Sequence, residues 1–309
     1  MAIKLVVNGY FRSGTTFVWD FMKEALREEG YLSLYEPLNP DMAILINKER
    51  DNRINVLHDR FVYKEYLEID ERTLARLLRN NPNANGFGIE NDAALIAYLD
   101  IFHGMERKLF LQPNRLHFHL DLLFERYGAN VVHVIRHPLD VYLSIAKGAY
   151  VLVESRFKRA LHALARPFLL VRSFEIEKQY RWINYKAGYP AGYRDSIRLR
   201  LLNRFDAFEK FVVVWTVSNY CALKSIQAHG GMLLVYEQLL GDPERALQRL
   251  NGYTGTEVRE IPAVRRDNFY KFDAKMLEKF HQTVAKYSLG REFDFILDAV
   301  QKEGFAWKL

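Results

Sequence analysis

The chain has 309 residues, of which 49% are apolar and 27% charged, and these proportions are ordinary for a soluble globular protein. Its 44 basic and 38 acidic residues give a net charge of +6, and its one cysteine, Cys221, excludes an intrachain disulfide and favours a reducing compartment. No signal peptide is recognisable, and the longest apolar run, 211–217, is far shorter than the roughly 20 residues that span a bilayer, so we expect a soluble cytoplasmic protein.

The first predicted element is a strand that runs into a loop rich in hydroxyl groups. Residues 3–16 read IKLVVNGYFRSGTT and continue into the helical pattern FVWDFMKEAL. A strand, a loop and a helix N-terminus in this order form a cradle for phosphate, because loop N–H groups and the positive end of the helix dipole face the anion. Gly14 provides the backbone freedom that such a loop needs. Four side chains add donors to the same pocket: Arg12, Ser13, Thr15 and Thr16.

This loop departs in one position from the phosphate loop of nucleoside triphosphatases. Gly9 and Gly14 match the two glycines of the pattern G-x-x-x-x-G-K-[ST], and Thr16 matches its metal-binding hydroxyl. Thr15 stands in the place of the lysine, and the nearest cation is Arg12. A nucleoside triphosphatase normally needs that lysine beside the terminal phosphates. The loop therefore favours an anion whose reacting group carries less charge and needs no metal. The alternative is an ordinary turn between strand and helix that binds nothing.

The next predicted strand ends at an acidic residue. Residues 31–35 form a strand candidate, and Glu36 and Pro37 follow it directly. Because the carboxyl ends of parallel strands meet at one edge of a sheet, we expect Glu36 to lie beside the phosphate loop. Two alternatives stay open: Glu36 caps a loop, or Glu90 is the acid that acts at the site.

A third strand and a helix are predicted before residue 128. Residues 108–111 form the strand candidate, and apolar residues between 116 and 127 predict the helix. His117 and His119 then lie in that helix, where we interpret them as ordinary surface or core histidines and not as metal ligands.

A second phosphate contact is predicted after the fourth strand. Residues 130–136 read NVVHVIR, and Pro138 suits a first helical position. This places Arg136 at the carboxyl end of the strand and Ser144 about two turns into the following helix, so that both reach one phosphate beside the first loop. The alternative is an arginine that caps a strand and an unrelated surface serine.

A basic, aromatic segment follows at about 150–204. Between 156 and 204 there are twelve Lys and Arg residues but only three acidic ones. We interpret the segment as a largely helical insertion within a single domain that covers residues 1–309. It either covers the acceptor of a reaction or is a solvated basic surface, and a peripheral contact with a membrane through it stays open.

The last third of the chain completes the pattern. Residues 208–222 predict a long core helix that contains Trp215 and Asn219, and 232–236 predict a buried strand. Asp242 and Pro243 are then the N-cap and first residue of another helix. Strands that alternate with helices predict an α/β fold in which helices flank a parallel sheet.

Four segments of the chain are similar to stretches of one known family: FRSGTT, LYEPLNP, IRHPLDVYLS and LVYEQLLGDPERALQRL. The first looks like that family's 5′-phosphosulfate loop and the third like its 3′-phosphate motif. On these segments the chain resembles the sulfotransferases that use 3′-phosphoadenosine 5′-phosphosulfate, and most closely their carbohydrate sulfotransferase branch. The resemblance implies a P-loop-containing sulfotransferase-like fold. It also implies metal-free transfer of a sulfonate group to a hydroxyl or amine acceptor, a carbohydrate or glycolipid being one candidate.

The resemblance also implies roles for individual residues. Those implied to hold the 5′-phosphosulfate are Arg12, Ser13, Gly14, Thr15 and Thr16. Arg136 and Ser144 are implied to hold the 3′-phosphate, and Glu36 to act as general base. A carboxylate at that strand end is suited to take a proton from the acceptor, and Arg12 to neutralise charge on the departing phosphate.

The chain departs from the family at two places. Many relatives carry a lysine before a proline where Leu111 and Gln112 stand here, so a second catalytic cation is missing from that place. His137 stands where an aspartate is more usual. For Arg265 and Arg266 there are two alternatives, a contact with the 3′-phosphate or solvated charges, and we favour solvated charges.

Two other functions compete with this interpretation. The first is a P-loop nucleotide kinase or hydrolase with an atypical loop, which needs a magnesium-holding acid at a strand end. The second is a non-enzymatic module whose basic aromatic segment binds nucleic acid or an acidic membrane surface. We expect a nucleotide donor and a small-molecule or carbohydrate acceptor as the partners, and no nucleic acid.

Overall fold

The computed structural model describes residues 2–53, 61–83, 89, 91–151, 176–185, 207–262 and 272–308. The strands are β1 Ile3–Gly9, β2 Tyr31–Tyr35, β3 Lys108–Gln112, β4 Asn130–Ile135 and β5 Met232–Val235. The first six helices are α1 Thr15–Glu28, α2 Met42–Arg50, α3 Glu71–Arg79, α4 Asp92–His103, α5 Leu120–Glu125 and α6 Pro138–Val151, with a short 3-10 helix at Lys64–Glu68. The later helices are α7 Ile176–Tyr185, α8 Ala207–His229, α9 Tyr236–Gly241, α10 Pro243–Thr254, α11 Ala274–Lys286 and α12 Gly290–Lys302.

The five strands form one parallel sheet in the order β2-β3-β1-β4-β5. After β1 the chain goes first to β2 and β3 on one side and then to β4 and β5 on the other, so the direction of winding reverses at β1. A reversal of this kind opens a crevice at the carboxyl ends of the strands. The predicted α/β fold with a helix-flanked parallel sheet is confirmed.

The register of the sheet determines which loops meet at this edge. Gly9 of β1 lies opposite Val134 of β4, and Tyr35 of β2 lies opposite Gln112 of β3. The loops after β1 and β4 are therefore neighbours, and so are the loops after β2 and β3.

Helices bury the apolar strands of the sheet. Helix α1 packs on β1, β2 and β3 through fully buried side chains that include Trp19 and Met22. Helix α8, which is 23 residues long, contacts β4 and β5 and is buried along most of its length, including Trp215. The predicted core helix and the predicted core role of Trp215 are therefore both confirmed, as are Asp242 and Pro243 at the start of α10.

Two predicted elements differ from the structure. The strand expected over 232–236 ends at Val235, and Tyr236 begins α9. The helix expected from residue 116 begins only at Leu120, so His117 and His119 lie in the loop before α5. The side chain of Asn8 explains this second difference, because its Oδ1 accepts the Leu116 N–H at 3.4 Å and its Nδ2 lies 3.2 Å from His117 Nδ1.

Some predicted features lie outside the described residues. These are Glu90, Arg265, Arg266 and most of the basic segment at 150–204. The described part of that segment includes α7, where Trp182 and Ile183 are buried. Among the helices that the structure describes, none is both long enough and apolar enough to cross a membrane.

A chain of buried polar side chains lies beneath the carboxyl edge of the sheet. Asn8 of β1 contacts His133 of β4, whose Nε2 lies 3.0 Å from Asn219 Oδ1 on α8. His117 and His133 are both fully buried, and burial lowers the pKa of His133 to about 4 and that of His117 well below its usual value. Both imidazoles are therefore neutral at pH 7.

His133 should make the fold sensitive to acid. Its pKa is about 4 in the folded chain against 6.5 in the unfolded one, so the unfolded chain binds more protons between these values and stability falls as the pH drops through them. Replacing His133 by Gln removes this titration. Between pH 7 and pH 5, we expect the wild type to lose about 2 kcal/mol more of unfolding free energy than the variant does.

Urea unfolding at the two pH values measures this difference. His281, which is exposed on α11, provides the control. The His281→Gln variant should follow the wild type, and identical pH dependence in all three proteins would contradict the assignment.

Candidate functional site

The loop after β1 forms a tight turn against the end of β5. The Ser13 N–H donates to the Tyr10 carbonyl at 3.0 Å, and Arg12 and Gly14 have positive φ angles of 66° and 95°. A Cβ atom on Gly14 would lie 2.3 Å from the ring of Tyr236. Only glycine therefore fits at position 14, because both the backbone angle and the neighbouring ring exclude a side chain.

The first turn of α1 is suited to an anion. Its N-cap is Gly14, which makes no side-chain capping bond, and its first turn has no acidic residue. The N–H groups of a first helical turn have no partners within the helix, and they carry the positive end of its dipole. Ser13 is fully buried beside this turn, and its Oγ has no hydrogen-bond partner among the described residues.

Arg12, Arg136 and Ser144, predicted site residues that are far apart in the sequence, lie together in the structure. Arg12 Nε donates to Ser144 Oγ at 3.0 Å, and Arg136 Nη1 donates to the carbonyl of Arg12 at 3.3 Å. The guanidinium of Arg136 also lies 5.0 Å from the centre of the Tyr236 ring, a cation–π arrangement. Desolvation lowers the pKa of Arg12, and the nearby charge of Arg136 lowers it further. Two arginines from different loops therefore concentrate positive charge beside α1.

The two predicted threonines have different surroundings. Thr15 is 2% exposed, and its methyl group faces Gly9, where a Cβ atom would lie 2.6 Å away. Thr16 Oγ1 shares a hydrogen bond of 2.9 Å with Tyr35 Oη. Burial raises the pKa of Tyr35 well above its usual value, and the neighbouring Glu36 adds to the shift. Thr16 thus connects α1 to the end of β2.

Glu36 lies at the carboxyl end of β2, as predicted, and three side chains donate to it. Asn39 Nδ2 lies 2.8 Å and Arg115 Nη1 3.4 Å from Glu36 Oε2, and Asn114 Nδ2 lies 3.0 Å from Oε1. The side chains of Glu36 and Arg115 are only 12% and 8% exposed. The Glu36 N–H donates to the Gln112 carbonyl at 2.9 Å, which holds its backbone at a positive φ of 40°.

Sequence reasoning missed the three donors to Glu36. Asn39 follows Glu36 closely in the chain, but Asn114 and Arg115 come from the loop after β3 and carry no recognisable motif. A weak signal was present, because the segment QPNR ends a predicted strand and asparagine tolerates the left-handed conformation that Asn114 adopts, with φ 54°. Arg115 also lies 4.9 Å from the Phe11 ring, which connects it to the loop after β1.

Leu111 and Gln112 stand where the resemblance implies a lysine, and both make other contacts. Leu111 is a core residue, 1% exposed. Gln112 is fully buried, and its Nε2 donates to Asn114 Oδ1 at 2.6 Å. Arg115, three residues further on, brings a cation to this part of the site.

His137, which occupies the usual place of an aspartate, is buried among aromatic rings. Its ring stacks on Phe272 at 4.6 Å and meets Trp307 edge-on at 5.7 Å. The backbone N–H of His137 donates to Glu237 Oε1 at 2.8 Å, and Trp307 Nε1 donates to Glu237 Oε2 at 3.2 Å. Burial lowers the pKa of His137 to about 3 and raises that of Glu237 to about 7. His137 thus positions the backbone beside Arg136 and brings no positive charge to the site at pH 7.

A cleft of about 720 Å³ is lined in part by the residues that directly precede α5. It lies between α5 and α8, and His117, His119 and Trp182 are among its lining residues. His119 Nδ1 lies 3.5 Å from Asp92 Oδ1 at one end of the cleft. Within the described ranges, no group of three or more His, Cys, Asp or Glu side chains is arranged to hold a metal ion.

Comparison with known proteins gives one related sequence and several similar structures. No family model matches the chain. An uncharacterized protein of Archaeoglobus fulgidus is 29% identical over 277 residues, which cover 82% of this chain and 84% of that protein.

The similar solved structures include sulfotransferases. The sulfotransferase domain of the curacin biosynthetic pathway has a TM-score of 0.41 at 13% identity and covers 93% of this chain and 98% of its own. A sulfotransferase from Alicyclobacillus acidocaldarius has a TM-score of 0.40 at 12% identity, covering 94% and 95%. At such TM-scores the likeness says nothing about function, which must be inferred from the site itself.

Glu237 gives the site a second, opposite pH dependence of stability. Its pKa is about 7 when folded against 4.5 when unfolded, so the folded chain binds more protons between these values and stability falls as the pH rises through them. Replacing Glu237 by Gln should remove up to about 3 kcal/mol of this loss between pH 5 and pH 8.

Unfolding free energies of wild type and variant at both pH values test this effect. Glu244, exposed in the first turn of α10, is the matched control. Only the change at Glu237 should flatten the pH dependence, and a Glu237→Gln variant that loses as much stability as the wild type would refute the assignment.

Proposed function

We propose that the chain is a sulfotransferase that uses 3′-phosphoadenosine 5′-phosphosulfate and transfers its sulfonate group to a hydroxyl or amine. One observation carries the proposal. Arg12, Arg136 and Ser144 meet at the start of α1, while a carboxylate stands at the end of β2 in the same sheet. A cation cluster and a positioned acid at the same edge of a sheet are the combination that this transfer needs.

The residues present are suited to a donor with two phosphate groups. Ser13 Oγ, buried without a partner in the described chain, and the open first turn of α1 offer hydrogen bonds to the 5′-phosphosulfate. Arg136 and Ser144, on the loop after β4 and on α6, are assigned to the 3′-phosphate. Arg12, which contacts both, is assigned to the 5′ side.

The donor, when bound, supplies a sulfonate group already activated by its bond to phosphate. Glu36 takes the proton of the acceptor hydroxyl or amine as the acceptor forms its bond to sulfur. Arg12 stabilises the negative charge that develops on the departing phosphate oxygen. None of these residues' tasks requires a metal.

The acceptor is proposed to lie beside α7, a described part of the basic segment at 150–204. This helix reaches the site, because Tyr10 Oη donates to Gln179 Oε1 at 2.6 Å and the rings of Phe118 and Trp182 lie 4.7 Å apart. Aromatic rings next to polar groups suit a sugar, so a carbohydrate or glycolipid is the acceptor class to examine first. We further propose that the chain is a single domain and acts in the cytoplasm.

Binding of 3′,5′-adenosine bisphosphate, the expected product, tests the donor site. Calorimetry should show binding to the wild type, and Arg12→Ala and Arg136→Ala should each weaken it about tenfold or more, because each removes hydrogen bonds to a charged group. Arg107→Ala is the control. Arg107 directly precedes β3, at the opposite edge of the sheet, and forms an exposed ion pair with Glu68. Absence of binding to the wild type would refute the proposal.

Glu36→Gln separates catalysis from binding. It should leave bisphosphate affinity within about threefold and lower turnover by about 100-fold or more, as expected for loss of a general base. Turnover is measured with sulfur-labelled donor, first with water as acceptor and then with sugars, glycolipids, phenols and peptides. Parallel loss of binding and turnover would remove Glu36 from its catalytic role.

A further inference from the structure

We propose that Arg115 is a positioning residue for Glu36, in place of the cation missing from the end of β3. The inference rests on the proposed function, and it assigns a task to a side chain that no motif identifies. Arg115 Nη1 lies 3.4 Å from Glu36 Oε2, and both side chains are largely buried.

The hydrogen bonds to Glu36 leave one direction open. A carboxylate has about four lone-pair sites, two on each oxygen. Asn39 and Arg115 donate to Oε2, whereas Asn114 alone donates to Oε1. Within the described part of the chain, Oε1 therefore retains a site for the proton of an acceptor. The donors fix the carboxylate so that this site always belongs to the same oxygen.

The donors are themselves held in place. Gln112 Nε2 donates to Asn114 Oδ1 at 2.6 Å, which turns the NH₂ group of Asn114 toward Glu36. The Asn39 Nδ2 also donates to Tyr63 Oη at 2.9 Å, and Asp41 N–H donates to Asn39 Oδ1 at 2.9 Å. Arg115 lies against the Phe11 ring. Each donor thus has a second contact that restricts its rotation.

Arg115 also has an electrostatic task that the two amides lack. Glu36 is little exposed to water, and a buried carboxylate is costly unless it is paired and hydrogen-bonded. A guanidinium within hydrogen-bond reach can form a charge-assisted hydrogen bond, whereas an amide carries no charge. Arg115 therefore supplies the balancing charge that Asn39 and Asn114 cannot.

Arg115→Met, Arg115→Lys and Asn114→Asp test the inference. Removing the cation should lower turnover of labelled donor, with water as acceptor, by about 10- to 100-fold. Lysine keeps the charge without the planar fork, so it should recover part of the loss. Bisphosphate affinity should stay within about threefold in every variant.

Asn114→Asp keeps the inference testable if loss of a buried cation prevents folding. Asparagine and aspartate have the same size and both tolerate the positive φ at position 114. The change removes a hydrogen-bond donor to Glu36 and places a second carboxylate beside it, so turnover should fall. Thermal melting of each variant shows that it is folded.

Arg107→Met is the matched control, because it breaks an exposed arginine–glutamate pair at the other end of β3. Wild-type turnover in both Arg115→Met and Asn114→Asp would overturn the inference alone, as would a loss confined to affinity or shared by Arg107→Met. A wild type that neither binds bisphosphate nor turns over donor would overturn the proposed function first, and the inference with it.

Discussion

The site depends on loops that turn sharply as they leave the parallel strands. Arg12, Gly14, Glu36 and Asn114 all have positive φ angles, and they follow β1, β2 and β3. For residues other than glycine this conformation costs about 1 to 3 kcal/mol each and persists only where the surroundings impose it. The buried hydrogen bonds around these residues supply that constraint, because they hold the Glu36 backbone on Gln112 and the Asn114 side chain between Gln112 and Glu36.

Charge at this edge is divided into two groups with different surroundings. Arg12 and Arg136 lie beside the start of α1, where Arg12 contacts Ser144 and Arg136 contacts the Arg12 carbonyl, so two positive charges stand next to the open helix end. Arg115 is buried against Glu36, and its charge is balanced within the protein. A buried pair of this kind adds little to stability, since desolvation offsets the attraction, but it strongly opposes loss of either partner. The Arg115–Glu36 pair is therefore better explained by its effect on the orientation of the Glu36 carboxylate than by a contribution to stability.

The sequence allowed the sheet to be predicted, together with the places of several candidate site residues at its edge. Buried runs of Val, Ile and Leu marked β1 and β4, and the residues directly after the strands, Glu36 and Arg136, were found because parallel strands align their ends. Arg115 and Asn114 were not predicted, since their approach to Glu36 depends on the pairing of Tyr35 with Gln112 and on the left-handed turn at Asn114. The helix expected from residue 116 was wrong for a similar reason, because a distant side chain, Asn8, takes the backbone N–H of Leu116.

Gln112 and Arg115 both belong to the end of β3 and the loop after it, but they differ in how they are placed toward Glu36. A cation at position 112 would be fully buried, and the Asn114 side chain would lie between it and Glu36. Arg115 instead contacts Glu36 directly and lies against the Phe11 ring. Under the proposed function, what matters is a positive charge beside the carboxylate, and the β3 loop can supply it from either position. A search for a cation at one fixed position in the sequence would miss Arg115. A search of the residues that lie near the carboxyl end of β3 in space would find it.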